Sequence, residues 1–493
     1  MGRRRMMDRS ESSFGQTGGP ALSNPVIVLE LNELAPALMD RFIAQGALPG
    51  FAQLRSESIT CITDPEEAVP NLEPWIQFVT VHTGLSYQEH GVFLLGDGPK
   101  FKAPRIWDLV ADAGQKAWIC GSMNSAIQSK HAKNLFVLPD PWATGVEPNP
   151  PGMFDAFYNL VRTYVQEYTR DKPPLTRGDY LRFGRFMVSN GLSPKTVFDT
   201  LRQLAGERGG GTRWKRAAIL DRLQWDVFRH NYRKLQPALS TFFVNSTAHY
   251  QHFYWRNMQP ELFDLRDEAS QETGLENAIL EGYVRMDRIV RECLALAGDD
   301  ATVVLCTGLG AQPMLKYDAD GGKQIIRTID VDQLMTYLGV TQAYRYAPVM
   351  SDQFHLTFDS EADALAAQAR MKALRTEDGR EVMMAQIKGA ALFCGVETEI
   401  MPPATAEVST PFNNQRRRFA DLFYPAQGLK SGMHHPDGIL WIRTPDRQHV
   451  EVKRKVLLRE IAPTLLELAG VRTDHRFALP PMPEVRQAVA VAA

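Results

Sequence analysis

Thr241–Arg256 reads TFFVNSTAHYQHFYWR, and this stretch decides how the rest of the chain is understood. Thr241-Phe242-Phe243-Val244 is a β-rich apolar run, and it passes through small polar residues into His249, Gln251, His252 and the aromatic cluster Phe253-Tyr254-Trp255. A buried strand therefore delivers a histidine pair to its C-terminal end, the edge at which open α/β sheets bind ligands. With a helix beginning at Ser246, His249 and His252 fall at i and i+3 and can reach a common point. Either histidine alone, beside aromatics, reads equally well as a satisfied core residue. The pair placed after a strand favours a site.

Outward from this stretch, strands and helices alternate. Pro25–Glu33 (PVIVLELNE) is a largely apolar strand whose tip is polar, as in a buried parallel strand serving a site. Helical spacing through Leu38, Met39, Phe42 and Ile43 follows, then a strand near Ile59–Ile62. Residues 64–93 read as a mostly irregular, function-bearing loop holding Glu73, Trp75, Gln77, His82 and His90. A strand Ala117–Cys120 ends near Asn124, and Thr302–Cys306 ends at Thr307. The spacing predicts a helix over 275–298, a strand over 391–396 and a helix over 456–468. These elements imply an α/β fold, a mainly parallel sheet with helices on both faces. The expected division is a basic disordered tail over 1–24, a core of 25–151, 237–323 and 391–475, a helical cap over 152–236, a small α+β insertion over 324–390, and a tail over 476–493.

Composition narrows the function classes. Of 493 residues, 44% are apolar and 23% charged, and the net charge of -2 supplies no electrostatic case for nucleic acid. The five cysteines, Cys61, Cys120, Cys293, Cys306 and Cys394, are odd in number and widely spaced, reading as reduced core thiols. The Arg run near Met1 is followed by no apolar segment of the kind a signal peptide has, and no apolar run has membrane-spanning length. A cytoplasmic protein with a small-molecule partner, no nucleic acid and no membrane is expected. The basic residues of 152–236 form a solvated face, or in part meet an anionic substrate.

Several motifs together resemble the alkaline phosphatase superfamily, in its type I phosphodiesterase/nucleotide pyrophosphatase branch. VIVLELNELAPALMDRFIAQGALPGFAQLRSES resembles that family's first strand and helix, HTGLSYQEHGVF its TG-x-x-P-x-x-HGI turn, and STAHYQHFYW its T-D-x-x-x-H-x-x-W segment. YVRMDRIVRECLALAGDDATVVL resembles the helix and strand before its S-D-H-G motif. SGMHHPDGIL resembles its G-x-H-x-x-x-G-I-L motif, and IAPTLLELAGV its closing helix. The resemblance implies a two-metal phosphoryl site with a Thr or Ser nucleophile. This sequence departs from it: Asn32 stands for the first-strand aspartate, Ala248 for the aspartate before the ligand histidine, and Thr307-Gly308-Leu309 for S-D-H. In PNLEPW either Asn71 or Glu73 occupies the nucleophile's place. An amide, an alanine, a glycine and a leucine cannot compensate a second dication.

His252 and His434 match family ligands directly. With His249 they would make a three-histidine site suited to one divalent transition metal, zinc first among them. Glu73 and Glu33 are candidates for general base or nucleophile, with Asn32 beside them. Glu30, Gln77 and His435 would orient ligands, and Trp75, Asn124 and Thr307 would line a substrate crevice. Glu73 also reads as a solvated loop acid, Glu30 as a partnered core carboxylate and His435 as an exposed loop residue. Two functions follow as expectations. One is a single-metal hydrolase or transferase acting on a phosphorylated or glycosylated, anionic small molecule; the other is a non-catalytic member that binds a ligand or partner in the same crevice.

Overall fold

In the computed structural model, residues 24–143, 145–166, 175–207, 211–265, 273–349 and 353–486 are described. The expected tail over 1–24 lies almost wholly outside them. Seven strands in chain order position the site: β1 (Val26–Leu31), β2 (Ile59–Asp64), β3 (Ala117–Cys120), β4 (Leu135–Leu138), β5 (Leu239–Val244), β6 (Thr302–Cys306) and β7 (Gly310–Pro313). The central sheet runs Val450–Glu451, β2, Gly438–Arg443, β6, β1, β5, β3, β4, with Val456–Leu457 joined to β2. Pairing is parallel for β6–β1, β1–β5, β5–β3 and β3–β4, whereas Gly438–Arg443 runs antiparallel to both β2 and β6. The sheet is thus mainly parallel, as the largely apolar runs imply.

Alternation along β1 sends Ile27, Leu29 and Leu31 into one core and Val26 and Val28 into the other, all fully buried or nearly so. β6, β1 and β5 are adjacent, and their C-terminal ends release Thr307, Asn32 and Asn245 side by side. From there the helix Ser246–Met258 carries His249 and His252. Gly282 lets it pack closely on the helix Ala278–Ala297: a Cβ there would meet the Tyr250 ring at 2.9 Å and Thr247 Oγ1 at 3.1 Å.

Five sequence expectations change. Residues 64–93 hold a ten-residue helix, Pro74–Thr83, with Pro74 in its first turn; nine of its residues are buried, so it shows none of the one-sided periodicity that would have marked it. Ala391–Val396 does not return to the central sheet. It forms a hairpin with Met383–Lys388 through Gly389-Ala390 and belongs to a four-stranded antiparallel sheet with Phe354–Phe358 and Tyr344–Pro348. Phe423–Leu429 pairs with Gln324–Thr328, so the small α+β unit extends past 390 to about 429 in chain order. The last helix is Ile461–Leu468, preceded by a short strand and a 3-10 turn rather than starting at 456. The stretch 476–486 is not a loose tail: Met482 and Val485 are buried and Glu484 pairs with Arg454 at 2.8 Å.

Within 152–236, the helix Asp155–Gln166, with Phe154 just ahead of it, and the last helix join the core. Phe154 stacks on Trp118 at 4.9 Å between ring centroids, and Trp225 and Phe228 of the helix Ala217–Leu235 are fully buried against β3 and β5. The helices Arg177–Ser189 and Pro194–Gly206 stand outside, with only Met187 and Thr196 buried.

The start of the His252 helix is anchored to this layer: Ser246 Oγ donates to Asp221 Oδ2 of the helix Ala217–Leu235. Burial pushes the Asp221 carboxyl up to about 7, against the pull of Ser246, Arg285 and Arg222. A carboxyl whose folded pKa is raised binds its proton more tightly when folded, so its contribution to stability falls as pH rises from about 4 through about 7. Wild-type protein should therefore lose roughly 2–3 kcal/mol between about pH 5 and pH 8 through this group. Asp221→Asn should remove that slope, and melting curves of the two proteins across this range will test it: parallel pH profiles would refute the assignment.

Candidate functional site

Asn32-Glu33 is the turn that leaves β1, and Glu33 adopts a left-handed backbone with φ 61°. A non-glycine residue holds that conformation only when its surroundings enforce it. Here the Glu33 N–H donates to the Thr307 carbonyl at 3.2 Å, and its own carbonyl accepts from Gln251 Nε2 at 2.8 Å. Gln251 is fixed in turn by the Tyr283 hydroxyl, which donates to Gln251 Oε1 at 2.9 Å and accepts from the Ala35 N–H at 2.7 Å. The turn thereby aims the buried Glu33 carboxylate back over the strand end. Asn32 Nδ2 donates to Glu33 Oε1 at 2.9 Å and to Asn245 Oδ1 at 2.6 Å.

Glu33 meets His252 and His434. Its Oε2 lies 2.9 Å from His252 Nε2 and its Oε1 3.4 Å from His434 Nε2, and the two imidazole centroids are 5.1 Å apart at near right angles. One ligand atom from each of the three residues lies within 4.8 Å of the other two. His252 Nδ1 donates to the Gly432 carbonyl at 3.0 Å. A carbonyl only accepts, so neutral His252 turns the Nε2 lone pair toward Glu33. Burial lowers the His252 pKa in spite of Glu33 and favours this neutral form. Buried Glu33 Oε2 then has no donor among the described residues. Burial opposes ionisation of Glu33, but the charge of His434, joined by His252 when that ring is protonated, holds it well below the usual carboxylate range. A carboxylate and an imidazole lone pair converging on one point, with the second imidazole beside them, fit a single divalent transition metal. The backbone carbonyl that fixes the His252 ring is the kind of outer contact that orients metal ligands.

The second imidazole arrives on the strand Gly432–His435, which pairs antiparallel with β7, His434 opposite Ala311. Gln312 Nε2 donates to the His434 carbonyl at 2.8 Å. The strand also seats on the His252 helix: the Ser431 N–H donates to the His252 carbonyl at 2.7 Å, and Ser431 Oγ accepts from the Trp255 N–H at 3.0 Å. Glu73, just before the helix Pro74–Thr83, completes the group with Oε2 3.5 Å from His434 Nδ1. Burial pushes the Glu73 pKa up against the pull of His434 and Lys430. The pKa of His434 is raised although burial opposes it, because Glu33 and then Glu73 favour its charged form.

The three-histidine set expected from the sequence is not the set that converges. His249, one turn earlier on the helix, lies among aromatics, 5.1 Å from Phe253 and 5.9 Å from Tyr250 between ring centroids, and burial beside positively charged neighbours lowers its pKa to about 4. Glu33 supplies the third ligand atom instead. Asn71 turns its Nδ2 toward Glu67 Oε2 at 3.0 Å, leaving Glu73 as the residue of PNLEPW that approaches His434. His435 alternates to the other face of its strand, where Nδ1 accepts from the Asp437 N–H at 3.1 Å.

Other expected residues are engaged within the scaffold. Fully buried Glu30 shares a 2.6 Å hydrogen bond with His82 and accepts from Ser122 Oγ at 2.7 Å, the partnered carboxylate of the blander reading. Asn124 accepts from the Gly98 N–H and donates to the Trp75 carbonyl, the Trp75 indole donates to the Phe93 carbonyl, and Thr307 Oγ1 accepts from the Ile439 N–H. Gln77 Nε2 donates to the Asn71 carbonyl, while its buried Oε1 has no donor among the described residues. Sequence reasoning gave no site role to three contributors: Gln251, Tyr283 and half-buried Lys430, whose charge acts on Glu73, His252 and His434. Lys430 was visible only as the basic residue opening the stretch KSGMHH.

No protein-family model and no curated relative matches the chain. Among solved structures it is similar to phosphonoacetate hydrolase from Sinorhizobium meliloti 1021 in complex with phosphonoformate, at 14% identity and TM-score 0.41, over 91% of this chain and 96% of that one. It is also similar to an inactive variant of murine ectonucleotide pyrophosphatase/phosphodiesterase 5 in complex with AMP, at 9% identity and TM-score 0.39, over 93% and 97%. At these identities no residue role passes from either protein to this chain.

Gly432 makes the seam between the two histidines possible. A Cβ there would lie 2.2 Å from the Gln251 carbonyl oxygen and 3.1 Å from His252 Cα, both backbone atoms of a packed helix. Gly432→Ala is expected to destabilise the protein by roughly 1–3 kcal/mol, as overpacking does, and to weaken divalent-metal binding, both readable from melting curves with and without added zinc. An unchanged melting temperature and metal affinity would refute the close-packed seam.

Proposed function

We propose that the chain is a hydrolase or transferase that uses one divalent transition metal, zinc by preference, held by Glu33, His252 and His434, and acts on a phosphorylated or glycosylated small molecule bearing negative charge. The observation that supports this most is the convergence of one carboxylate and two imidazoles within 4.8 Å, with a buried Glu33 oxygen left without a donor. A divalent ion at that point neutralises developing charge on a substrate oxygen and lowers the pKa of a water or hydroxyl held there. Asn32 and the Gly432 carbonyl keep Glu33 and His252 oriented. Glu73, with its raised pKa and its place beside His434, is the proton acceptor for the attacking water or hydroxyl. Lys430 adds positive charge on the same side and favours an anionic substrate. Phosphodiester-type chemistry is the first choice, because the motifs resemble the phosphodiesterase branch. A cytoplasmic setting is part of the proposal, supported by five buried cysteines, all free.

A second reading has its own support. Neither Ser nor Thr stands in PNLEPW, and Ala248 and Leu309 occupy positions where the resemblance implies ligands, so the crevice could hold a ligand without turning it over.

Metal content by plasma mass spectrometry, on protein purified without chelator, separates these readings. About one transition-metal ion per chain is expected, lost in a His252→Ala/His434→Ala variant and reduced in Glu33→Gln. No metal in the wild-type protein would sink the proposal. With metal bound, a screen of phosphodiester, nucleotide-sugar and sulfate esters should reveal turnover that Glu73→Gln lowers by about 10²–10⁴-fold, with metal retained. Full metal occupancy and no turnover across the screen would favour the non-catalytic reading.

A further inference from the structure

The helix Pro194–Gly206 carries its apolar surface the wrong way round for a soluble cap, and the helix Arg177–Ser189, four residues before it, seats Phe183, Phe186 and Met187 on the core but leaves further apolar side chains in solvent. Leu181 is 75% exposed, Val188 74%, Phe198 64% and Leu201 61%, with Leu204 and Val197 also open to solvent. On the second helix Val197, Phe198, Leu201 and Leu204 follow helical spacing and form one stripe. The inward side of that helix is polar instead: Thr196, Asp199, Thr200 and Gln203 line a cleft of about 460 Å³ with Arg222 and Arg288. Isolated exposed apolar residues are ordinary, but a continuous stripe facing solvent marks a surface that something covers.

Charge identifies the cover. The acids of these helices are engaged: Asp179 caps the first helix and pairs with Arg182, Asp199 pairs with Arg288, and buried Glu207 pairs with Arg216. Arg177, Arg182, Arg185, Lys195 and Arg202 are all exposed. A two-fold contact between copies of this chain would set these cations against each other. An apolar stripe bordered by arginine and lysine suits an anionic interface into which the apolar side chains can sink. Among the described residues no helix is long and apolar enough to cross a membrane, so such contact would be peripheral.

We propose that the face formed by the helices Arg177–Ser189 and Pro194–Gly206 docks on an anionic phospholipid surface, with Leu181, Val188, Phe198 and Leu201 entering the headgroup region and the surrounding cations pairing with lipid phosphate. This departs from the sequence expectation of no membrane contact, and it stands apart from the metal site.

The test is co-sedimentation of the full chain, at about 0.15 M salt, with phosphatidylcholine vesicles and with vesicles containing one-third phosphatidylglycerol. Wild-type protein should pellet with the anionic vesicles and at least roughly tenfold more weakly with neutral ones. Leu181→Ser/Phe198→Ser/Leu201→Ser should lose roughly tenfold or more of that binding while keeping the wild-type melting temperature, since these side chains already lie in water. Lack of binding to anionic vesicles, or equal binding by the variant, would overturn the proposal. A lipid-free wild-type dimer in light scattering that becomes monomeric in the variant would overturn it as well, assigning the face to a second copy.

Discussion

Everything at the candidate site depends on holding one buried carboxylate in an unfavourable turn. Glu33 leaves β1 with a left-handed backbone, and the two-sided grip of the Thr307 carbonyl and the Gln251 side chain holds it there. Were Glu33 to relax to an extended conformation, its side chain would follow the alternation of β1 and leave the strand end. The three strands whose tips meet at this place are neighbours in the sheet, so the turn, the His252 helix and the Thr307 loop brace one another. Strain of this kind persists where the surroundings over-determine it, and it concentrates at functional sites.

The fold was legible wherever burial is two-sided. β1, β5 and β6 appear as largely apolar runs, and β5 passing into a histidine-bearing helix pointed to the right edge of the sheet. His252 and His434 could be found from two motifs far apart in the chain. What failed was finer geometry. His249 and His252 differ by three residues on one helix, and sequence spacing cannot say which faces the strand end and which the aromatic side. Glu33 meets the two imidazoles because of one backbone torsion, and no side-chain pattern announces it. The helix Pro74–Thr83 is buried nearly all round, which erases the periodicity by which helices are recognised. Ala391–Val396 is apolar enough to pass for a central parallel strand; only the two-residue Gly389-Ala390 turn ties it to an antiparallel neighbour. Polar residues at strand ends also serve the scaffold: Glu30, Asn124 and Thr307 satisfy buried loops and strands, a demand that polar atoms in a closed interior always carry.

The contacts that assemble the site span long stretches of chain. The hydrogen bond from Gln251 to the Glu33 carbonyl links residues 218 apart, and that from His252 to the Gly432 carbonyl links residues 180 apart. No ligand pair can come together through local structure alone, because loops of that length must close first. An ion with affinity for this constellation would therefore recognise only the finished domain. Its binding energy would be added to the stability of the native chain and withheld from every partly folded one. A newly made chain would be unable to capture metal until its last third had been synthesised and docked, which makes occupancy of the ion a report on completed folding.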